Sequence, residues 1–356
     1  METYRLLLSA GDGVGAELIE AAKGLFAALE RPGERHFELT EITTCGAAIA
    51  RCGTALRDGD LALADGCRAI LFGNLGAGAA AVPALQGMRG AFRVCTNIRP
   101  VWLSPSFEEL SPLKSALTRR GMDILIVRDL MGGMINGERQ RGEGREGREA
   151  SDLEYYNEQM IEHSAAFAFA AAAARRGRVT SVDKANVLAS GKLWRSKVCE
   201  IATRYPGVAL EHDYVDHAAM ELLTGPDRYD VVLTSNVFGD ILSDEAAQIS
   251  GAPWLFGSAE IAEDGRGVYT PNQLHHPQSE ELAGKGLVNP CCIFSAAAML
   301  LRYSCGLPGL ANAVDEAVRR TVDDGLFTGE AVPRGGKILS TEELAREILA
   351  RVKPTA

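Results

Sequence analysis

Long apolar runs are missing from this chain of 356 residues. No stretch reaches the roughly 18 apolar residues that a membrane-spanning helix needs, so we expect no such helix. The alanine-rich stretch at 165–174 is too short to span and indicates a buried helix. No basic segment followed by a long apolar run stands near Met1. We therefore expect no signal peptide and a cytoplasmic location.

Positive charge is also scarce, because 37 Lys and Arg residues stand against 47 Asp and Glu residues, which gives a net charge of −10. A chain of this sign is not drawn to phosphate backbones, so we expect no nucleic-acid partner. The eight cysteines include no CxxC pair. We expect them to be reduced thiols, several of them buried, and not ligands of a structural zinc.

The composition that is present suits a folded protein, since 46% of the residues are apolar. A chain of this length buries a large core and usually forms more than one compact domain. Strand-like and helix-like runs alternate, which indicates an α/β protein. Strands are predicted at 4–9, 69–74, 123–128, 179–182 and 229–233. Helices are predicted at 16–30, 151–176, 193–205, 217–223, 241–250, 292–305, 309–323 and 341–353.

Residues 139–149, RQRGEGREGRE, break this alternation because they include three glycines and no apolar side chain. Such a segment cannot bury a face of its own, so we expect an exposed, mobile loop without chemistry.

Asp240 and Asp244 form the first candidate site. Residues four apart lie on one face of a helix, and two carboxylates held that close repel each other unless a cation lies between them. Hard oxygen ligands suit Mg²⁺ or Mn²⁺ better than zinc. The alternative is that the acids only complement the positive end of a helix dipole.

Lys184 and Asp216 form the second candidate site. Lys184 follows a predicted strand and stands beside Asp183; burial there would lower the pKa of the lysine and make it a base. The alternative is an ordinary surface ion pair. Asp216 precedes a predicted helix, where an N-cap role is the alternative.

Three arginines and a glycine turn complete the candidates. The forked guanidinium groups of Arg89, Arg99 and Arg128 suit carboxylates, and Arg128 ends a strand, where ligands of open α/β sheets gather. Salt bridges are the alternative for each arginine. The turn Gly11-Asp-Gly13-Val-Gly15 is only half a dinucleotide fingerprint, because its last glycine comes one residue early.

Together these stretches resemble the β-decarboxylating dehydrogenases, the family of isocitrate and 3-isopropylmalate dehydrogenases, and fit the 3-isopropylmalate branch best. The resemblance runs along nearly the whole chain in AGDGVGAELIEAA, NIRPVW, DILIVRDLMGG, VTSVDKANVL, LWR, YVDHAAM, NVFGDILSDEA and AGKGLVNP. It implies an oxidoreductase that uses NAD and Mg²⁺ or Mn²⁺. The implied reaction oxidises and decarboxylates a small-molecule substrate, a 3-substituted malate.

The same resemblance implies the architecture. It is two α/β domains that share a long mixed sheet and differ from a Rossmann fold. Residues 1–95 and 248–356 form a large domain with cofactor loops. Residues 96–247 form a smaller dimerisation domain with much of the substrate and metal site. The resemblance also implies a homodimer whose active sites use residues of both subunits.

The resemblance further assigns roles to individual residues. The substrate-binding residues would be Leu85, Arg89, Arg99 and Arg128. The metal ligands would be Asp240 and Asp244 with Asp216 from the partner subunit. The catalytic residues would be Lys184 and Asp216, with Lys184 of the partner removing the 2-hydroxyl proton. The cofactor-binding residues would be His276, Glu281, Leu282 and Asn289.

Three departures from the family pattern stand out. Ile135 replaces a tyrosine that helps to protonate the enolate in the family, and isoleucine donates no proton. In the adenosine loop Pro277 replaces a glycine, and Glu281 replaces an aspartate; an acid there favours a ribose 2′-hydroxyl and hence NAD. The pocket ahead of Arg89 is also rebuilt around Leu85.

These departures leave three functional hypotheses. We favour a specialised dehydrogenase acting on an unusual malate, because pocket contacts set discrimination between substrates. The second hypothesis is a regulatory or binding subunit without turnover. The third is a redox-free, metal-dependent decarboxylase on the same fold.

Overall fold

The computed structural model describes residues 2–76, 78–272, 279–329, 332–333 and 335–353. Within these ranges the strands are β1 Glu2–Gly11, β2 Arg35–Glu41, β3 Ala69–Asn74, β4 Val94–Leu103, β5 Met122–Asp129, β6 Arg139–Gly144, β7 Gly147–Asp152, β8 Arg178–Asp183, β9 Ala209–Tyr214, β10 Val231–Thr234, β11 Gly257–Ala262, β12 Gly267–Pro271, β13 Leu326–Thr328 and β14 Lys337–Leu339. The helices are α1 Gly15–Leu29, α2 Cys45–Cys52, α3 Asp58–Leu63, α4 Ala81–Phe92, α5 Ser115–Thr118, α6 Glu158–Ala173, α7 Ala189–Ala202, α8 Val215–Thr224, α9 Asn236–Ile249, α10 Ser279–Leu282, α11 Cys291–Tyr303, α12 Pro308–Asp323 and α13 Thr341–Arg351.

The chain divides into two compact units. Unit 1 comprises residues 1–94, 104–111 and 251–356, and unit 2 comprises residues 95–103 and 112–250. The principal sheet is mixed and has ten strands, five of them in each unit. All eight cysteines are free thiols, and six of them are buried, as predicted. Among the described helices, none has the length and apolar character that crossing a bilayer requires.

Unit 1 is built on strands in the order β2-β1-β3-β12-β11. All are parallel except β11, which runs antiparallel to β12. Every residue of β3 is buried, as expected for a continuous apolar run in a parallel sheet. Ten of the 13 residues of α11 are buried, because this helix is apolar on nearly every side. The core of unit 1 lies between the helices and this sheet.

Unit 2 is built on strands in the order β4-β5-β10-β8-β9. Strands β5, β10, β8 and β9 are mutually parallel, and β4 runs antiparallel to β5. The carboxyl ends of the four parallel strands therefore meet at one edge. Arg128 lies at the end of β5 and Lys184 directly follows β8 at that edge. Ligands of open α/β sheets bind at such an edge.

The exposed segment at 139–149 forms strands, so the predicted loop is wrong. β6 and β7 pair from Arg139↔Asp152 to Gly144↔Gly147, and nearly all of their residues are exposed, as predicted. Only two residues connect the strands, and Gly147 takes a φ of +119°. Backbone pairing through a tight turn thus sets this hairpin, which has no apolar pattern. Helix α6 begins at Glu158, later than predicted, because β7 occupies 147–152 and Asn157 caps the helix.

Candidate active site

Arg128 anchors a polar cluster at the carboxyl edge of the unit 2 sheet. It is 5% exposed. Its Nε and Nη2 donate to Oδ1 of Asn236 at 3.0 and 2.8 Å, and its Nη1 donates to Oδ1 of Asp240. A Cβ on Gly239 would lie 2.6 Å from the Cβ of Arg128, so only glycine lets α9 approach this closely. The guanidinium group is thus fixed from two positions of one helix.

Arg99 on β4 extends this cluster along α9. Its Nη1 donates to Ser243 Oγ at 3.0 Å and to Asp244 Oδ1 at 2.5 Å, and its Nη2 lies 3.9 Å from Asp240 Oδ1. Its Nε is buried and has no acceptor within the described ranges. Buried donors are normally satisfied, so this N–H stands out as a donor that the surrounding side chains leave unused.

Asp240 and Asp244 lie one turn apart on α9 and present their carboxylates to solvent. Their side chains are 48% and 71% exposed. The first turn of α9 contains no acidic residue, so the alternative based on the helix dipole is wrong. Their oxygens are the hard donors that Mg²⁺ and Mn²⁺ prefer, and the two side chains fit such an ion. No group of three or more His, Cys, Asp or Glu side chains able to hold a metal exists in the described part of the chain, so Asp216 does not join them within one chain.

Lys184 pairs with Asp216 and not with the neighbouring acid. Its Nζ donates to Oδ1 of Asp216 and lies 5.8 Å from the ring centroid of Tyr214. Asp183 is buried and instead accepts two hydrogen bonds from Arg195, at 2.8 and 2.9 Å. The hydrogen bond from Lys184 lowers the pKa of Asp216. Asp216 is the second residue of α8, and Tyr214 occupies the N-cap position, so the N-cap alternative is wrong.

A small pocket, partly open to solvent, lies beside Lys184 in unit 2. Glu154, Tyr156 and Trp194 contribute to its wall. Burial raises the pKa of Glu154, whose Oε2 accepts the backbone N–H of Met134 at 2.8 Å. Lys184 and Glu154 therefore line the same small cavity.

The loop after β5 is held by buried polar groups. Asp129 accepts N–H groups of Met131 and Gly132 at 2.9 and 2.8 Å, and burial raises its pKa to about 6. Tyr156 Oη accepts the backbone N–H of Asn236 at 2.9 Å, which links this loop region to α9. Ile135 lies in the loop with a half-buried side chain that carries no exchangeable proton.

Arg89 lies in unit 1, on α4, and forms a bidentate pair with Glu260 on β11. Its Nε donates to Glu260 Oε2 at 2.7 Å and its Nη2 donates to Oε1. Glu260 is 4% exposed. Leu85, one turn before Arg89, is 7% exposed and packs in the apolar cluster around Phe72 and Phe92. The structure thus places Leu85 largely in the core.

The predicted cofactor residues are described only in part. His276 and Pro277 lie outside the described residues. Glu281 and Leu282 belong to α10, and the carboxylate of Glu281 is exposed, so it can accept hydrogen bonds from ribose hydroxyls and fits that role. Asn289 is buried, and its Oδ1 accepts the N–H of Cys291 at 2.9 Å at the start of α11.

The glycine turn at Gly11 and Gly13 is explained by close packing. Both residues have positive φ, +66° and +61°. A Cβ on Gly11 would meet the carbonyl oxygen of Asn74 at 1.7 Å, and one on Gly13 would meet Ser279 Oγ at 2.1 Å. This packing accounts for the glycines without a bound phosphate.

Sequence reasoning missed Asn236, Ser243 and Glu260. Asn236 and Ser243 stand four before and three after Asp240, so the helical spacing within NVFGDILSDEA could have placed them on the same face. Glu260 is 171 positions from Arg89 along the chain, and no local signal joins the two.

The chain is similar to known proteins along nearly its whole length. A family model described as isocitrate/isopropylmalate dehydrogenase matches residues 5–348. The 3-isopropylmalate dehydrogenase of Clostridium acetobutylicum is 37% identical over 364 residues, which cover 99% of this chain and 100% of that protein. That of Sodalis glossinidius is 40% identical over 365 residues, with coverage of 100% and 99%.

Solved structures show the same fold. The isocitrate dehydrogenase of Methylococcus capsulatus superposes with a TM-score of 0.79 at 27% identity, covering 98% of this chain and 99% of that chain. A β-decarboxylating dehydrogenase of Thermococcus kodakarensis gives a TM-score of 0.76 at 29% identity, with coverage of 98% and 96%. The predicted family and the predicted fold class are confirmed.

Proposed function

Because the chain belongs to the isocitrate/isopropylmalate dehydrogenase family, we propose that it is an NAD- and divalent-metal-dependent dehydrogenase that oxidises and decarboxylates a 3-substituted malate. The cluster of Arg99 and Arg128 with Asp240 and Asp244 carries this proposal. It combines guanidinium groups for carboxylates with hard oxygen ligands for a cation. The proposal includes a large domain of residues 1–95 and 248–356 and a smaller domain of residues 96–247. It also includes a cytoplasmic homodimer with shared active sites. The enzyme would be a paralogue that is specialised for its own substrate.

The metal would be held by Asp240 and Asp244, together with Asp216 of the partner subunit. Such an ion, when bound, supplies positive charge beside the 2-oxygen of the substrate and its neighbouring carboxylate. The two aspartates would then exchange their hydrogen bonds with Arg99 and Arg128 for the ion. The freed N–H groups, together with those of Arg89, would bind the carboxylates of the malate.

Lys184 of the partner subunit would take the proton of the 2-hydroxyl at its Nζ. Its contact with Asp216, a proposed ligand, would hold the amine at the metal site. NAD, when bound, supplies the acceptor for the hydride that leaves C2. Glu281 would hold the adenosine ribose with His276, Leu282 and Asn289, and its charge would repel a 2′-phosphate. Ile135 contributes no proton to the enolate, so another group or water must do so.

Two measurements on the unmodified protein test the function. Calorimetric titration of NAD with Mn²⁺ present measures cofactor binding, and NADH absorbance over a panel of 3-substituted malates measures turnover. Binding with turnover supports the proposal and identifies the substituent. Binding of malate and Mn²⁺ without any binding of NAD would overturn the redox function. Release of CO₂ from a β-keto acid without NAD would then identify a decarboxylase, and its absence would leave a regulatory subunit.

A further inference from the structure

Glu260 is a buried carboxylate to which the proposed reaction gives no role. Its side chain is 6% exposed, whereas that of its partner Arg89 is 29% exposed. Both carboxylate oxygens accept from the guanidinium group, one of them at 2.7 Å. A ligand therefore reaches the arginine more readily than the glutamate. That ligand would meet the guanidinium group of Arg89, whose positive charge is already balanced by the buried carboxylate of Glu260.

Glu260 differs in this respect from the aspartates that pair with Arg99 and Arg128. Those aspartates are well exposed and are proposed to turn to a metal ion, which would release the charge of the two arginines. Glu260 is enclosed, and a buried carboxylate that left its arginine would become an unpaired charge. It would therefore stay on Arg89 when the site fills. Two arginines present a full charge to the substrate, and the third does not.

The charges of the proposed site show what this pair changes. Arg99 and Arg128 would give up their aspartates to the divalent ion, so two guanidinium charges would face the two carboxylates of a malate. The charge of Arg89 stays balanced by Glu260. Without Glu260 a third guanidinium charge would become available, enough for a third carboxylate.

We propose that Glu260, acting through Arg89, is a specificity-determining residue that limits the substrate to two carboxylates and an uncharged C3 substituent. This inference rests on the proposed function. The outward face of α4 agrees with it, since Val82 is 51% exposed and Gln86 is also exposed, and neither carries a charge. A malate with a third carboxylate would be rejected because that carboxylate would find no unbalanced positive charge in the site.

The test compares two malates in the Glu260→Gln variant. Isocitrate carries a carboxylate on its C3 substituent, and 3-isopropylmalate does not. Their dissociation constants are measured by calorimetry with Mn²⁺ and without NAD. We expect Glu260→Gln to bind isocitrate about tenfold more tightly than the unmodified protein does, with 3-isopropylmalate changed by less than about threefold. Glutamine keeps the shape and an acceptor for Arg89.

Matched variants separate this effect from a loss of structure. Glu316→Gln on α12 removes one charge from an exposed ion pair with Arg320 and should leave the affinity ratio unchanged. Glu260→Ser provides a second way to remove the charge if the glutamine variant does not fold. In the double variant Arg89→Gln/Glu260→Gln the gain for isocitrate should disappear, because the effect passes through Arg89.

The outcomes distinguish two kinds of failure. If the unmodified protein binds 3-isopropylmalate but the affinity ratio stays the same in folded Glu260→Gln and Glu260→Ser, the role of Glu260 is refuted and the proposed function stands. If the unmodified protein binds neither malate, the proposed substrate class is wrong, and the role of Glu260 fails with it. A shift of the ratio in both variants supports the proposal.

Discussion

The arginine–carboxylate pairs of the two units are buried in opposite senses. In unit 2 the cations are enclosed, with 7% exposure for the side chain of Arg99 and 6% for that of Arg128. Their partners Asp240 and Asp244 face solvent. In unit 1 the anion is enclosed, and Arg89 is the more accessible member. The two regions therefore offer different charges to a ligand, although each contains the same kinds of group.

This difference indicates which partner can be exchanged. An exposed carboxylate can leave its arginine for a metal ion at little desolvation cost, because it is already hydrated. A buried carboxylate that leaves its arginine becomes an unpaired charge in a poorly solvated place, which is strongly unfavourable. The unit 2 pairs are thus suited to opening when carboxylates of a ligand take the place of the aspartates on the two buried arginines, and the unit 1 pair is suited to staying closed.

Asp240→Asn should produce the largest effect, because it removes the charge of a proposed metal ligand from one of the exchangeable pairs of unit 2. The amide keeps an acceptor for Arg128 but is a poor ligand for a divalent ion. We expect kcat/KM to fall on the order of a thousandfold, the equivalent of several kcal/mol of lost charge stabilisation. Steady-state rates over a range of Mn²⁺ concentrations check this. A rate within about threefold of the unmodified protein would exclude Asp240 as a ligand.

Lys184→Met should have the next largest effect, and it tests the pair of Lys184 and Asp216 in unit 2. Methionine keeps much of the length of the side chain and removes the proton acceptor. General bases contribute at least about a hundredfold, so kcat should fall by about that factor with KM little changed. Lys192→Met, on the exposed face of α7, is the matched control and should leave kcat unchanged. Equal rates for the two variants would assign the base to another residue.

Thermal unfolding with and without Mn²⁺ sharpens the comparison without any assay of activity. An ion that binds only the folded chain stabilises it by about 2.7 kcal/mol at 100 times its Kd, which raises Tm by several degrees. We expect this rise in the unmodified protein and in Glu260→Gln, and its loss in Asp240→Asn. A Glu260→Gln protein that no longer responds to Mn²⁺ would show that the unit 1 pair influences metal binding, contrary to the separate roles of exchangeable and fixed pairs.

The sequence predicted those parts of the fold that have a local pattern. β3 was predicted with its observed bounds, because a continuous apolar run marks a buried strand. The start of α9 was predicted at residue 241, five residues late. Gly239 interrupts the helical pattern there. A glycine is needed because a Cβ at this position would collide with the side chain of Arg128 on β5. The β6–β7 hairpin was missed because backbone pairing alone defines it.

The site shows the same limit. Residues with recognisable stretches around them, such as Arg128 and Asp240, were selected from the sequence, and the structure brings these two together. Glu260 stands in an unremarkable strand with other acids nearby, and only the pairing of distant segments places it on Arg89. Exposure, which separates exchangeable from fixed pairs, is likewise a property of the folded chain.

Ile135→Tyr should have the smallest effect, and it extends the comparison to the loop beside the unit 2 cluster. The half-buried isoleucine carries no proton, and tyrosine would restore a donor of the kind that the resemblance implies. If protonation of the enolate limits turnover, kcat should rise, by no more than about tenfold, because general acids contribute modestly once another group or water already serves. Ile135→Phe is the control for size and should give no rise. A rise in both variants would point to packing of the loop, and an unchanged kcat in Ile135→Tyr would mean that another step limits the reaction.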